Sequence, residues 1–224
     1  MKMNEFQVLE IKKNIYEENE IQARELREQL KKDNVFLMNL MSSPGSGKTT
    51  TVIKTIEALR EKLKIGIMEA DIDSDVDAKK VAESGTSVIQ LHTGGMCHLD
   101  ATMTKQGIEA LGSNDLDLII LENIGNLICT ASYDVGANKN VMLLSVPEGD
   151  DKPLKYPKMF KMVDVLLVNK MDTISMFDFN LQALEEHVLK MNPGIKIIPI
   201  SAKTGQGIDI WADWLLKQVQ TSNP

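Results

Sequence analysis

An α/β fold, with a mostly parallel seven-stranded sheet and helices on both faces, is what this 224-residue sequence predicts. Seven short runs are apolar nearly throughout, as strands covered on both sides must be, and amphipathic segments of helical length fill most of the gaps between them. The first run leads through "SSPGSGKTT" into a helical pattern, so a glycine-rich turn sits where open parallel sheets gather their ligands, at the carboxyl ends of the strands.

Taken in order, residues 1 to 33 place Val8, Ile11 and Ile15, then Ala23, Leu26 and Leu30, at helical spacing among many charges. This amphipathic segment is one helix or a broken pair, expected either to pack on the outside of a domain spanning 34 to 224 or to act as a partner-binding arm. Strands are expected at 35–41, 64–69, 87–91, 117–122, 140–146, 163–169 and 195–200, and helices at 48–62, 75–84, 99–111, 154–161, 178–190 and 207–219. A hydrophobic content of 43% suffices for one substantial core. The formal charge of -7, with no basic stripe, argues against a broad nucleic-acid-binding face. The longest apolar runs, such as "VDVLLV" at 163–168, are too short to cross a bilayer, and the N-terminus has no signal-peptide core. A cytoplasmic protein without a membrane or nucleic-acid partner is therefore expected, its two cysteines, Cys97 and Cys129, being free thiols or metal ligands rather than a disulfide.

The turn after the first strand matches the phosphate-loop pattern G-x-x-x-x-G-K-[ST], except that Ser42 stands where the first glycine belongs. Strand, small-residue loop and helix supply the context the motif needs. Gly45, Ser46, Gly47, Lys48, Thr49 and Thr50 are the expected phosphate contacts, with backbone N–H groups around the oxygens, Lys48 bridging the terminal phosphates and the Thr49 hydroxyl on Mg²⁺. "NKMD" follows the sixth strand with Asn169, Lys170 and Asp172, and "SAK" follows the seventh with Ser201, Ala202 and Lys203. The Asp172 carboxylate can accept two hydrogen bonds from guanine N1 and N2, which adenine cannot supply, so GTP and its product GDP are favoured over ATP.

Two further segments are placed to sense the γ-phosphate. "GIMEADIDSDVDAKK" carries Asp71, Asp73, Asp75 and Asp77: Asp71, nearest the strand end, is expected in the Mg²⁺ shell and Asp77 at the attacking water, while Asp73 and Asp75 suit solvent or a helix cap. "LIILENIG" ends the fourth strand with Glu122, which would hold Mg²⁺ through a water, and Gly125, whose N–H would meet the phosphate. Lys48, Asp71, Asp77 and Glu122 form the expected catalytic set. No glutamine follows to align a water, so slow intrinsic turnover is expected. Cys97 and His98 after the third strand, with Cys129 after the fourth, are either buried small residues and a cap, or a thiolate and imidazole set suited to Ni²⁺ or Zn²⁺. Three ligands leave such a site incomplete on one chain, which a symmetry mate would complete.

"NLMSSPGSGKTT", "TGGMCHLDA", "ENIGNLICTASYDVG", "EGDDKPLKYP", "NKMD" and "ISAKTGQG" together resemble the HypB family of hydrogenase-maturation nickel GTPases, over residues 35 to 219. The resemblance implies a phosphate-loop NTPase of the signal-recognition-particle and MinD-like (SIMIBI) class that dimerises with GTP and helps deliver nickel to the [NiFe]-hydrogenase large-subunit precursor, with a nickel-delivery accessory protein as partner. It places interface metal ligands on Cys97, His98 and Cys129, and it tolerates a small residue such as Ser42 at the start of the loop. Residues 1 to 34 lack the cysteine motif or histidine tract that some members use to bind nickel tightly. Lys152 and Lys155 are either an exposed lysine pair or contacts to a partner's nucleotide. The rival readings are a urease-type nickel GTPase, a metal carrier whose nucleotide site is regulatory only, and an ATP-dependent kinase.

Overall fold

The computed structural model describes residues 11–71, 76–112 and 115–222. The expected elements are present in order: α1 (Ile11–Lys32), β1 (Phe36–Ser42), α2 (Lys48–Leu59), β2 (Ile65–Asp71), α3 (Val76–Ala82), β3 (Ser87–His92), α4 (Ala101–Leu111), β4 (Leu118–Glu122), β5 (Lys139–Ser145), α5 (Lys152–Lys155), α6 (Pro157–Met162), β6 (Val165–Asn169), α7 (Leu181–Met191), β7 (Lys196–Pro199) and α8 (Ile208–Ser222). The helix expected at 154–161 is two short helices. Pro157 forces the break, because the residue before a proline is held out of helical geometry, and Tyr156 takes φ -128°, ψ 52°.

All seven strands run parallel in the order β3-β2-β4-β1-β5-β6-β7. The connections after β1 lead to one side of it and those after β4 to the other, so a crevice opens at the carboxyl end of β1. Alternating residues of β1 face opposite layers. Phe36, Met38 and Leu40 join Val52, Ile56, Trp211 and Leu215 of α2 and α8, whereas Leu37 joins Leu26 and Leu30 of α1 and Ile108 of α4. A third cluster packs Phe160 of α6 and Leu184 and Val188 of α7 on Met142 and Leu166. The edge strand β3 is less buried than the apolar runs suggest, with both its end residues exposed.

The single long helix α1 lies against the body of the molecule, with Ala23, Leu26 and Leu30 buried along one stripe. Asp100 caps α4 by accepting from Met103 N at 2.8 Å, and Asn180 caps α7 through Ala183 N at 3.1 Å. Among the described residues, no helix is long and apolar enough to cross a membrane.

Candidate functional site

The loop between β1 and α2 wraps the crevice. Gly45 and Gly47 take φ of 74° and 99°, and a Cβ on Gly47 would fall 2.6 Å from Asn169 Nδ2, so glycine is required there for both conformation and space. Ser42, in place of the usual first glycine, is a fully buried hub. Its hydroxyl accepts from Ser46 Oγ at 2.6 Å and Lys48 Nζ at 3.1 Å, and donates to Ser43 O at 2.7 Å. The departure from the motif thus adds a polar anchor for the lysine. Thr50 is exposed on the first turn of α2.

Asn169 joins three motifs. Its amide donates to Ser46 O at 2.9 Å and accepts from Ala202 N at 3.0 Å, tying the phosphate loop to both segments expected to read the base. Lys170, at a left-handed φ of 64°, donates to Gly45 O at 2.8 Å. The Ser201 hydroxyl donates to Asp172 Oδ1 at 2.6 Å and so orients the carboxylate, while Lys203 is exposed.

Beside the loop, Glu69 of β2 and Glu122 of β4 are register partners on adjacent strands, which puts their carboxyls on one face. Oxygens of Glu69, Asp77 and Glu122 all lie within 4.8 Å of one another, and Thr49 Oγ1 donates to Glu122 Oε1 at 3.0 Å. Glu69 Oε2 and Glu122 Oε2 are buried without a hydrogen-bond partner among the described residues. Burial, then the charges of Glu122 and Asp77, push the Glu69 carboxyl up to about 8, against the pull of Lys48. Burial raises Glu122 to about 7 despite Lys48 and the Thr49 hydrogen bond. Asp71, at the end of β2, acts on both through its charge but is not one of the three converging carboxyls, and Asp73 and Asp75 lie outside the described residues.

Glu69 was not among the expected site residues. Its signal was a charge inside an apolar strand, two residues before Asp71 and hence on the same face.

The thiols also meet. Cys97 Sγ stands 2.7 Å from Cys129 Sγ and 3.9 Å from His98 Nδ1, and both cysteines are free and half-buried. Asn126 Oδ1 accepts from the N–H groups of Ile128 and Cys129 at 2.7 and 2.9 Å, a local turn that presents Cys129. Contact with the Cys97 thiol, then burial, pushes the Cys129 thiol up, since two touching sulfurs resist carrying charge together. Burial holds His98 below its ordinary value against the opposing charge of Asp100, which favours the neutral imidazole that metals bind. The His98 ring stacks on Tyr133 with centroids 3.6 Å apart and planes 12° from parallel. Next to the cysteines, Met96 and Ile128 are exposed, Ile128 at 66%. Lys152 and Lys155 face acids of their own chain, at 4.0 Å from Glu148 and 2.5 Å from Asp151.

The loop from Glu122 to Cys129 links the carboxyl cluster to the sulfur pair. Midway along it Gly125 lies against Pro44 of the phosphate loop, where a Cβ would fall 3.0 to 3.2 Å from the proline.

A parallel sheet whose central strand feeds this loop into α2 defines a P-loop nucleotide-binding protein. The CobW/HypB/UreG nucleotide-binding domain family matches residues 36–199. Hydrogenase maturation factor HypB of Rhizobium leguminosarum bv. viciae is 38% identical over 213 residues, covering 95% of this chain and 71% of that protein. Hydrogenase/urease maturation factor HypB of Helicobacter pylori strain J99 is 36% identical over 214 residues, covering 94% of this chain and 88% of the relative. The crystal structure of HypB from Helicobacter pylori in complex with nickel superposes with a TM-score of 0.87 at 36% identity, covering 92% of this chain and 97% of that one. The chain belongs to the HypB family.

Proposed function

We propose that this chain is a Mg²⁺-dependent GTPase that assists nickel insertion into a [NiFe]-hydrogenase precursor in the cytoplasm, with the nucleotide governing both dimerisation and a Cys97, His98 and Cys129 metal site. One observation carries the reading: Glu122 and Cys129 end a single short loop whose Gly125 rests against Pro44 of the phosphate loop. A rearrangement at the phosphates therefore has a direct path to a sulfur ligand.

In this reading the N–H groups of 45 to 50 and the Lys48 ammonium hold the phosphates, while Asp172, oriented by Ser201, accepts from guanine N1 and N2. Asn169, Lys170, Ala202 and Lys203 build the walls around the base, and Gly125 N–H reaches the γ-phosphate. The buried, unpartnered oxygens of Glu69 and Glu122 suit a hard cation, which Thr49, Glu122, Glu69 and Asp77 would hold, with Asp71 adding charge nearby. When bound, Mg²⁺ would neutralise charge on the β- and γ-phosphate oxygens. Asp77, on the first turn of α3, is the residue to orient the attacking water. With no glutamine after Gly125, hydrolysis to GDP is slow.

Nickel or zinc is the cargo. Two sulfurs and an imidazole leave at least one position open on one chain, and the exposed Met96 and Ile128 give the same edge an apolar rim that a second copy would cover. A nickel-delivery accessory protein would load the site and the hydrogenase large-subunit precursor would receive the ion. Ni²⁺ titration with GDP and with a non-hydrolysable GTP analogue, alongside a mass measurement, tests the coupling. A GTP-dependent shift in both dimer fraction and Ni²⁺ affinity is expected, and no shift in either would refute it.

A further inference from the structure

Asn19 is a polar residue on the apolar stripe of α1, one turn before Ala23 and two before Leu26, and it is only 6% exposed. An amide buried there would cost stability if left unpaired, yet both its ends are used. Nδ2 donates to Asp134 O at 2.9 Å, and Oδ1 accepts from Ala101 N at 2.9 Å. Ala101 opens α4, three residues after His98, so Asn19 satisfies one of the free N–H groups at the start of the helix that follows Cys97 and His98. Asp134 closes the loop that carries Cys129.

One side chain of α1 thus bridges the two segments that bear the sulfurs, which leave different strands and share no backbone hydrogen bond among those described between residues 93–101 and 123–134. Neighbouring contacts run the same way. Tyr16 meets Tyr133 at 5.0 Å between ring centroids, Tyr133 stacks on His98, Gln22 contacts Thr102, and Arg27 donates to Ala137 O at 3.0 Å and pairs with Asp134.

We propose that Asn19 is a positioning residue of the metal site, holding the Cys97–His98 segment and the Cys129 loop at ligand separation, and that α1 is thereby a structural part of that site. This rests on the reading of Cys97, His98 and Cys129 as metal ligands. Removing the amide would let the two segments drift, so the ion would bind less tightly and with altered thiolate geometry, while the phosphate-loop residues tied to Asn169 and Lys170 rather than to either segment would stay in place.

The test uses the full chain and Ni²⁺ itself, followed by affinity and by the thiolate-to-nickel charge-transfer band. Asn19→Leu keeps the apolar stripe and deletes both hydrogen bonds, and it is expected to weaken Ni²⁺ about tenfold, the lower end of what outer-layer changes cost, and to shift the band. GDP affinity is expected to stay at the wild-type value, because GDP lacks the γ-phosphate that the Gly125 loop would meet. Asn19→Asp keeps the bond accepted from Ala101 N and is expected to fall between, and it serves as the test if the leucine variant does not fold. Leu30→Ala, buried on the same helix three turns away, supplies the control for general weakening of α1. If Leu30→Ala lowers Ni²⁺ affinity and moves the band as much as Asn19→Leu, or if the Asn19 variants leave both unchanged, the positioning role is overturned. A Cys97→Ser, Cys129→Ser double variant that keeps the wild-type band would instead overturn the ligand assignment, and the inference with it.

Discussion

Glu69 and Glu122 occupy one face of two adjacent strands because parallel register pairs them, and their burial there, with neighbouring acids adding to it, gives a pH signature. Both carboxyls hold protons more tightly when folded, up to about 8 and about 7 against an ordinary 4.5. Between pH 4.5 and about 8 the native state therefore binds more protons than the unfolded chain, and stability falls as pH rises through that window. Thermal unfolding of the metal-free, nucleotide-free protein is expected to show a lower Tm at pH 8 than at pH 5.5, and Glu69→Gln to flatten the slope; a Tm that rises across this range in the wild type would contradict the assignment. At the proposed base site, Asp172→Asn would replace an acceptor with a group that must turn a donor toward guanine, and a loss of about 100-fold or more in GTP affinity is expected in a competition assay, without a matching gain for ATP. The motif-borne residues here were legible because their spacing within short loops is itself the signal. Glu69 and Asn19 were not, since each is a single polar residue within a regular element, and its meaning comes from a neighbour 53 or 115 positions away, Glu122 for one and Asp134 for the other.

At the scale of elements, periodicity recovered all seven strands and the longer helices to within a few positions, because the inner strands are buried on both faces and those helices carry an apolar stripe; the short 3-10 helices Val146–Glu148 and Met171–Met176 were not foreseen. The break between α5 and α6 was missed although Pro157 was in view. A proline suits the first position of a helix, and only the constraint on Tyr156 turns one helical stretch into two. The loop from Glu122 to Cys129 carries its own prediction. Gly125→Ala would press a methyl group against Pro44, so it is expected to displace the loop from the phosphate loop and to reduce the proposed nucleotide dependence of Ni²⁺ affinity, read by paired titrations, while leaving the proposed Ni²⁺ site able to bind. For α1, deleting three buried carbons in Leu30→Ala is expected to cost about 2–4 kcal/mol by chemical denaturation, because Leu30 is packed in the same cluster as Leu37 of β1.

Across the whole molecule, the sheet order explains why the phosphate loop, the carboxyl cluster and the sulfur pair share one edge. β1 stands at the crevice with the phosphate loop, β4 beside it delivers Glu122, and β2 on the far side of β4 delivers Glu69. β3 lies outermost, and it alone carries the segment with Cys97 and His98. Half of the sulfur pair therefore hangs from an edge strand with exposed ends, while the other half hangs from the rigid centre of the sheet. Edge strands open locally far more often than central ones. In the proposed reading, fraying of β3 leaves Asn19 as the remaining tie between the two segments, so the lifetime of a bound ion follows the opening of that strand together with the α1 clamp. Hydrogen exchange would read this directly: β3 amides exchanging faster than those of β1, and slowing when Ni²⁺ cross-links Cys97 to Cys129.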